Sequence, residues 1–119
     1  MITTVLILFT HFVADFIFQT EKQAIGKGKS IWLLTVHVIT YGVGLTIFTQ
    51  LWIGNTLQAL YWVLCNMILH WITDFITSRI NSHLWRKGRE NWFFVGIGAD
   101  QFIHHACLLL TYEALNMQQ

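Results

Sequence analysis

The sequence predicts an all-α integral membrane protein, an antiparallel four-helix bundle with short loops that forms a single transmembrane domain over residues 1–119. Three observations predict it. The chain is 55% hydrophobic and 11% charged, against roughly 25% charge in an ordinary soluble domain, and its mean hydropathy is +0.52. Its apolar residues fall into four runs, near residues 2–20, 31–53, 57–80 and 92–115, each reaching the ~18 residues expected of a spanning helix. Inside these runs, His11 with Asp15, His70 with Asp74, and Asp100 with His104 are spaced four apart, which places each pair on one helix face, one turn apart.

The first run lacks a basic segment and a small-residue cleavage site and carries His11 and Asp15, so it reads as mature structure rather than a secretory signal. Its seam is His11, Asp15 and Gln19. The second run opens shortly before His37 and continues with Tyr41 one turn on; Gly42 and Gly44 suit close helix approach. The third has the longest seam, with Asn66, His70, Asp74 and Ser78 at a constant step of four. In the fourth, Gly96, Asp100 and His104 keep the same step, and the missing side chain at Gly96 is expected to leave an access path toward Asp100. Trp32, Trp52, Trp62 and Trp92 fall near run ends, where indole rings favour the headgroup level.

Charge predicts orientation, because Lys and Arg concentrate in cytoplasmic loops. Lys22, Lys27 and Lys29 lie between runs one and two, and Arg79, Arg86, Lys87 and Arg89 lie at or after the end of run three. Those seven are all the basic residues; the Gly54-Asn55-Thr56 turn and the tail Asn116 to Gln119 have none. The expected placement is the inner membrane, multi-pass, with both termini outside the cytoplasm. Asp15, His37, Asp74 and Asp100 then share a layer roughly 8 to 15 Å from the cytoplasmic side at 1.5 Å per residue, with His11, His70 and His104 about one turn deeper.

Three carboxylates in a bilayer must be protonated, paired or bound to cations, since each costs on the order of 2.5–3.5 kcal/mol uncompensated. Histidine with carboxylate and no thiolate stripe suits a divalent metal ion, zinc favoured and manganese or iron also compatible. The candidate ligands are His11, Asp15, His37, His70, Asp74, Asp100 and His104. Seven exceed what one tetrahedral ion needs, so some are expected to orient others. Two further readings stay open beside a metal site: a proton or ion pathway, and structural polar packing between helices.

The strings HFVADFIFQ from His11 to Gln19, His37 near the start of run two, HWITD from His70 to Asp74 and DQFIH from Asp100 to His104 together resemble small bacterial and phage integral membrane proteins of the family called domain of unknown function 3307. The resemblance covers nearly the whole chain. It implies polytopic membrane placement and a shared polar site at these positions; it implies no activity.

Function is therefore read from the site. The leading expectation is a membrane-embedded metal-dependent hydrolase acting on a lipid or headgroup, with Asp100 or Asp74 as the catalytic base. Lys27, Lys29, Arg86, Lys87 and Arg89 could hold an anionic headgroup, although topology alone accounts for them. The alternatives are a metal-ion or proton transporter, which with four short helices would call for a homo-oligomer, and a phage-encoded membrane-interaction protein with a structural polar site. Membrane lipids are the expected partners; nucleic acid is not.

Overall fold

A computed structural model describes residues 1–54, 56–115 and 117. Asn55 of the expected external turn and Asn116, Gln118 and Gln119 of the tail lie outside the described residues. The described chain is helical throughout: α1 (Ile2–Phe12), a π-helical turn (Val13–Ile17), α2 (Glu21–Gly26), α3 (Ile31–Trp52), α4 (Leu57–Arg86) and α5 (Glu90–Ala114). Four long helical elements form the bundle: α1 with its π-turn, α3, α4 and α5. Short connections fold α3, α4 and α5 back on one another, and α1 with its π-turn packs against α3 and α5.

The first run is shorter than expected. Helical structure ends at Ile17 rather than at residue 20, because Thr20 is committed to capping the next helix: its hydroxyl accepts from Gln23 N at 3.2 Å while the Gln23 side chain accepts from Thr20 N at 2.9 Å, satisfying two free donors at once. The segment Ile2–Ile17 is thus an apolar helix below spanning length, whereas α3, α4 and α5 are each long and apolar enough to cross a membrane. The longest dimension of the molecule, 48 Å, matches a bilayer of about 40–45 Å including headgroups.

The other ends also have local causes. Ser30 and Thr56 cap α3 and α4 through Leu33 N and Ala59 N. Helix α4 runs six residues beyond the expected 80 and stops where Gly88 adopts a positive φ of 65°; Gly88 N then bonds Trp85 O and Arg89 N bonds Leu84 O, both at 3.0 Å, the pairing that closes a helix on a left-handed residue.

Polarity is inverted relative to a soluble domain. His11, Asp15, His37, His70, Asp74 and His104 are buried, while Ile39, Val43, Ile47, Ile68, Ile72 and Ile76 face outward. Trp32, Trp52 and Trp92 are exposed near helix ends, but Trp62 faces into the bundle: it is buried and donates Nε1–H to Leu108 O at 3.1 Å. The seam of the bundle is layered in steps of four residues. Above His11, Tyr41, His70 and His104 comes a layer of Ile7, Leu45, Asn66 and Leu108, all buried. Asn66 there turns its amide to Trp62 O and Thr111 Oγ1, at 2.8 and 2.9 Å, rather than to the histidines.

Candidate metal centre

The π-turn positions Asp15. Phe18 N reaches back five residues to Val13 O at 3.0 Å, and the widened turn is held by a close approach of α3. A Cβ on Gly44 would stand 3.0 Å from Ala14 Cβ and 2.9 Å from Phe18 Cδ2, so only glycine lets the π-turn lie this near. Single π-turns of this kind are frequent at functional sites.

The structure brings all seven candidate residues into one buried cluster. Asp15 Oδ1, His37 Nε2 and His70 Nε2 form a triangle with sides of 3.1, 3.4 and 3.2 Å. Asp74 Oδ2 faces the same two imidazole nitrogens at 3.3 and 3.4 Å. His104 Nε2 donates to Asp74 Oδ1 at 3.0 Å and lies 3.4 Å from Asp100 Oδ1. Two triads therefore offer donors within 4.8 Å of one another: Asp15, His37 and His70, and His70, Asp74 and His104. They share His70, whose Nε2 has a single lone pair, so one imidazole cannot complete both.

His11 and Asp100 stand beside the triads. His11 Nε2 donates to Gln101 Oε1 at 3.0 Å, and Gln101 Nε2 donates to Asp15 Oδ2 at 3.3 Å and to Asp100 Oδ2 at 3.1 Å. Thr77 donates to Asp100 Oδ1 at 2.5 Å. His105 packs its ring edge-on against His11, with centroids 5.0 Å apart.

The donor set fits a divalent cation. Donors around a tetrahedral ion at 2.0–2.1 Å are about 3.3 Å apart, close to the sides of the first triangle. Asp15 Oδ1 approaches two imidazole nitrogens without the direction of a hydrogen bond to either, and it is buried with no hydrogen-bond partner among the described residues. Nδ1 of His37 and of His70 are also buried without partners among the described residues, where neither meets the carboxylate or carbonyl that usually orients a ligating imidazole. Ring packing orients His70 instead: it is stacked between Tyr41 and His104, with centroids at 4.1 and 4.0 Å.

Lys27 is the residue whose place the sequence did not reveal. It follows α2, which is tied to α3 by Gln23 Nε2 donating to Thr40 Oγ1 at 3.2 Å, and its ammonium enters the cluster, donating to Asp74 Oδ2 at 2.8 Å and to His37 Nε2 at 3.4 Å. Burial alone would lower its pKa, but Asp74, then Asp15 and Asp100, hold it above the ordinary lysine value. Of the five basic residues considered for an anionic headgroup, this one is engaged with Asp74. Three carboxylates against one ammonium leave two negative charges, which one divalent cation or two imidazolium protons balance.

Access also differs from expectation. The space a Cβ on Gly96 would occupy is filled by the Asn81 side chain, so Gly96 serves helix contact and opens no path. The opening lies between the π-turn, α2, α4 and α5, a cavity of about 200 Å³ bounded by Asp15, Lys27, Asp74 and Asp100 on its inner side. A larger cavity, about 560 Å³, sits at the opposite end between Ile7, Trp52, Trp62 and Tyr112 and touches no member of the cluster.

A model of the family described as protein of unknown function (DUF3307) matches residues 3–119. The chain belongs to the DUF3307 family. No curated protein and no solved structure matches it. In this DUF3307 protein the matched region contains every residue of the cluster, so the polar centre lies wholly within the family domain.

Proposed function

We propose that this DUF3307 protein is a membrane-embedded hydrolase that uses a divalent ion, zinc favoured, to cleave an ester or phosphoester of a lipid or its headgroup, with its basic loops at the cytoplasmic face of the inner membrane. The observation that carries this reading is Asp15 Oδ1, a buried carboxylate oxygen without a hydrogen bond among the described residues, set 3.1 and 3.4 Å from two imidazole nitrogens. Asp15, His37 and His70 would hold the ion, with Asp74 and His104 completing or supporting its coordination. A bound ion would lower the pKa of a cavity water toward about 7 and polarise the substrate oxygen.

Asp100 is the base. It stands outside both triads, borders the 200 Å³ cavity and is oriented by Thr77 and Gln101. Gln101 also links Asp100 to Asp15, so the position of the base is tied to that of a ligand. His104 Nε2, 3.4 Å from Asp100 Oδ1, faces that carboxylate as a donor and favours its ionised form, the form that acts as a base.

One-sided access favours hydrolysis over transport. Among the described residues, the layer between the cluster and the far cavity is Ile7, Leu45 and Leu108 with a single polar member, Asn66, whose amide is taken up by Trp62 O and Thr111 Oγ1. Elemental analysis of the purified protein, followed by lipid-hydrolysis and liposome-flux assays, tests the reading. The expected result is bound divalent metal together with hydrolysis, and Asp100→Asn retaining the metal while turnover falls about 100-fold. Protein without metal overturns the reading, and metal or proton flux that depends on Asp100 without hydrolysis puts transport in its place.

A further inference from the structure

We propose that the group brought to the cluster is the neutral carboxylic ester at the head of an acyl chain, and that phosphoesters are excluded. The inference rests on the hydrolase reading above and narrows its substrate class. The charge of the cavity wall and the depth of the cluster carry it independently.

Asp15, Asp74 and Asp100 border the 200 Å³ cavity together with Lys27, the one basic residue on its lining among the described residues. With neutral imidazoles, a divalent ion would bring these groups to zero net charge, and net charge is costly at membrane depth. The ammonium of Lys27 is already committed to Asp74 Oδ2 at 2.8 Å. Arg79 is turned away from the cavity: its Nη1 donates to Phe75 O at 2.8 Å and its guanidinium lies 3.9 Å over the Phe75 ring. Lys29, Arg86, Lys87 and Arg89 are exposed and line no part of this space. A phosphodiester would therefore enter with a negative charge that no free cation meets, whereas a carboxylic ester adds none. The sum also stays at zero through the reaction. Water gives a proton to Asp100 as its oxygen bonds to the carbonyl carbon, so the oxyanion that forms is matched by the charge Asp100 has lost. The carbon–oxygen bond then breaks, its electron pair and that proton go to the alcohol oxygen, and ester and water have become carboxylic acid and alcohol with Asp100 ionised again.

Depth favours the same group. In the membrane placement proposed above, the exposed Trp32 and Trp92 mark the cytoplasmic headgroup level. His37 and Asp100 follow them five and eight residues along α3 and α5, about 8 and 12 Å deeper at 1.5 Å per residue. The headgroup layer is only about 5–7 Å thick on each side, so the cluster lies below the phosphates, where acyl chains begin. Phe16, Phe93 and Ile97 supply the apolar side of the cavity, and Phe16 is also exposed on the outer surface, which gives an acyl chain an apolar route to the cluster.

The test is calorimetric binding to metal-loaded protein in an uncharged detergent, comparing an alkyl trifluoromethyl ketone, a neutral carbonyl, with a methyl alkylphosphonate, a monoanion, of equal chain length. The ketone is expected to bind at least about tenfold more tightly. Asp100→Asn removes one negative charge and should raise phosphonate affinity about tenfold while metal content stays at the wild-type level. Equal or tighter binding of the phosphonate to the unmodified protein overturns the proposal, whatever the folding of the variant. Phosphonate affinity unchanged in a metal-loaded variant overturns the charge argument.

Product analysis on phosphatidylcholine vesicles, which offer both bonds in one molecule, separates this inference from the hydrolase reading. Release of fatty acid supports both. Release of phosphocholine keeps the hydrolase and overturns the inference. Cleavage of neither bond, with the ketone preference intact, removes the hydrolase and leaves a cavity selective for an uncharged carbonyl.

Discussion

Lys27 sets the electrostatic balance of the cluster, and its removal exposes that balance to measurement. Lys27→Met leaves Asp74 without its ammonium and should lower the stability of metal-free protein by about 3 kcal/mol, while divalent metal, now without a competing cation, should bind at least tenfold more tightly and restore the loss. Thermal unfolding in detergent with and without metal checks both halves; a variant as stable as wild type without metal would show that the ion pair contributes nothing. His70→Ala and Asp74→Ala should lower bound metal and melting temperature together, because metal binding to a site formed only in the folded state adds to folding stability. Full metal occupancy in both variants would take these residues off the ligand set. At this scale the sequence was informative wherever chemistry followed the helical repeat: the step of four placed His11, Asp15, His70, Asp74, Asp100 and His104 on inward faces. Gln101 lies off that step, about 100° around α5 from Asp100, and Lys27 lies in a loop where charge also serves topology. Neither carries a spacing that marks its role.

At the scale of elements, two glycines that look alike in sequence have opposite surroundings. A methyl group on Gly44 would press on Ala14 and Phe18, whereas one on Gly98 would meet nothing within 4 Å. Gly44→Ala should therefore destabilise by about 1–3 kcal/mol through overpacking and, since Ala14 adjoins Asp15 in the π-turn, reduce metal occupancy as well. Gly98→Ala should be neutral or stabilising by about 0.5–1 kcal/mol. Paired melting curves with metal analysis decide it, and equal effects of the two substitutions would contradict the packing at α3. The runs of apolar residues marked α3, α4 and α5 to within a few residues except at the end of α4, where polar Asn81, Ser82 and His83 prolong the helix past the hydrophobic stretch. The π-turn could not be read, because a slipped backbone hydrogen bond leaves the side-chain pattern His11 to Asp15 unchanged. Helix α2 was detectable in principle through the capping pair Thr20 and Gln23, which lies in a segment too short to show a period.

For the whole molecule, the distribution of charge and the depth of the cluster give one topological expectation. Lys22 and Lys29 lie at the end of the bundle that also holds Arg86, Lys87 and Arg89, so a reporter joined after the last residue should be found outside the cytoplasm. A reporter active in the cytoplasm would invert the orientation and move the cavity to the other leaflet. The same architecture bears on turnover. Behind the cluster the seam is filled by Ile7, Leu45, Asn66 and Leu108, so in the hydrolase proposed above a molecule entering beside Lys27 would leave by the way it came. If the hydrolase reading holds, product and incoming substrate contend for a single doorway, so product should act as a competitive inhibitor, and both fragments of a cleaved lipid should be released on the side of the membrane from which the intact molecule was taken.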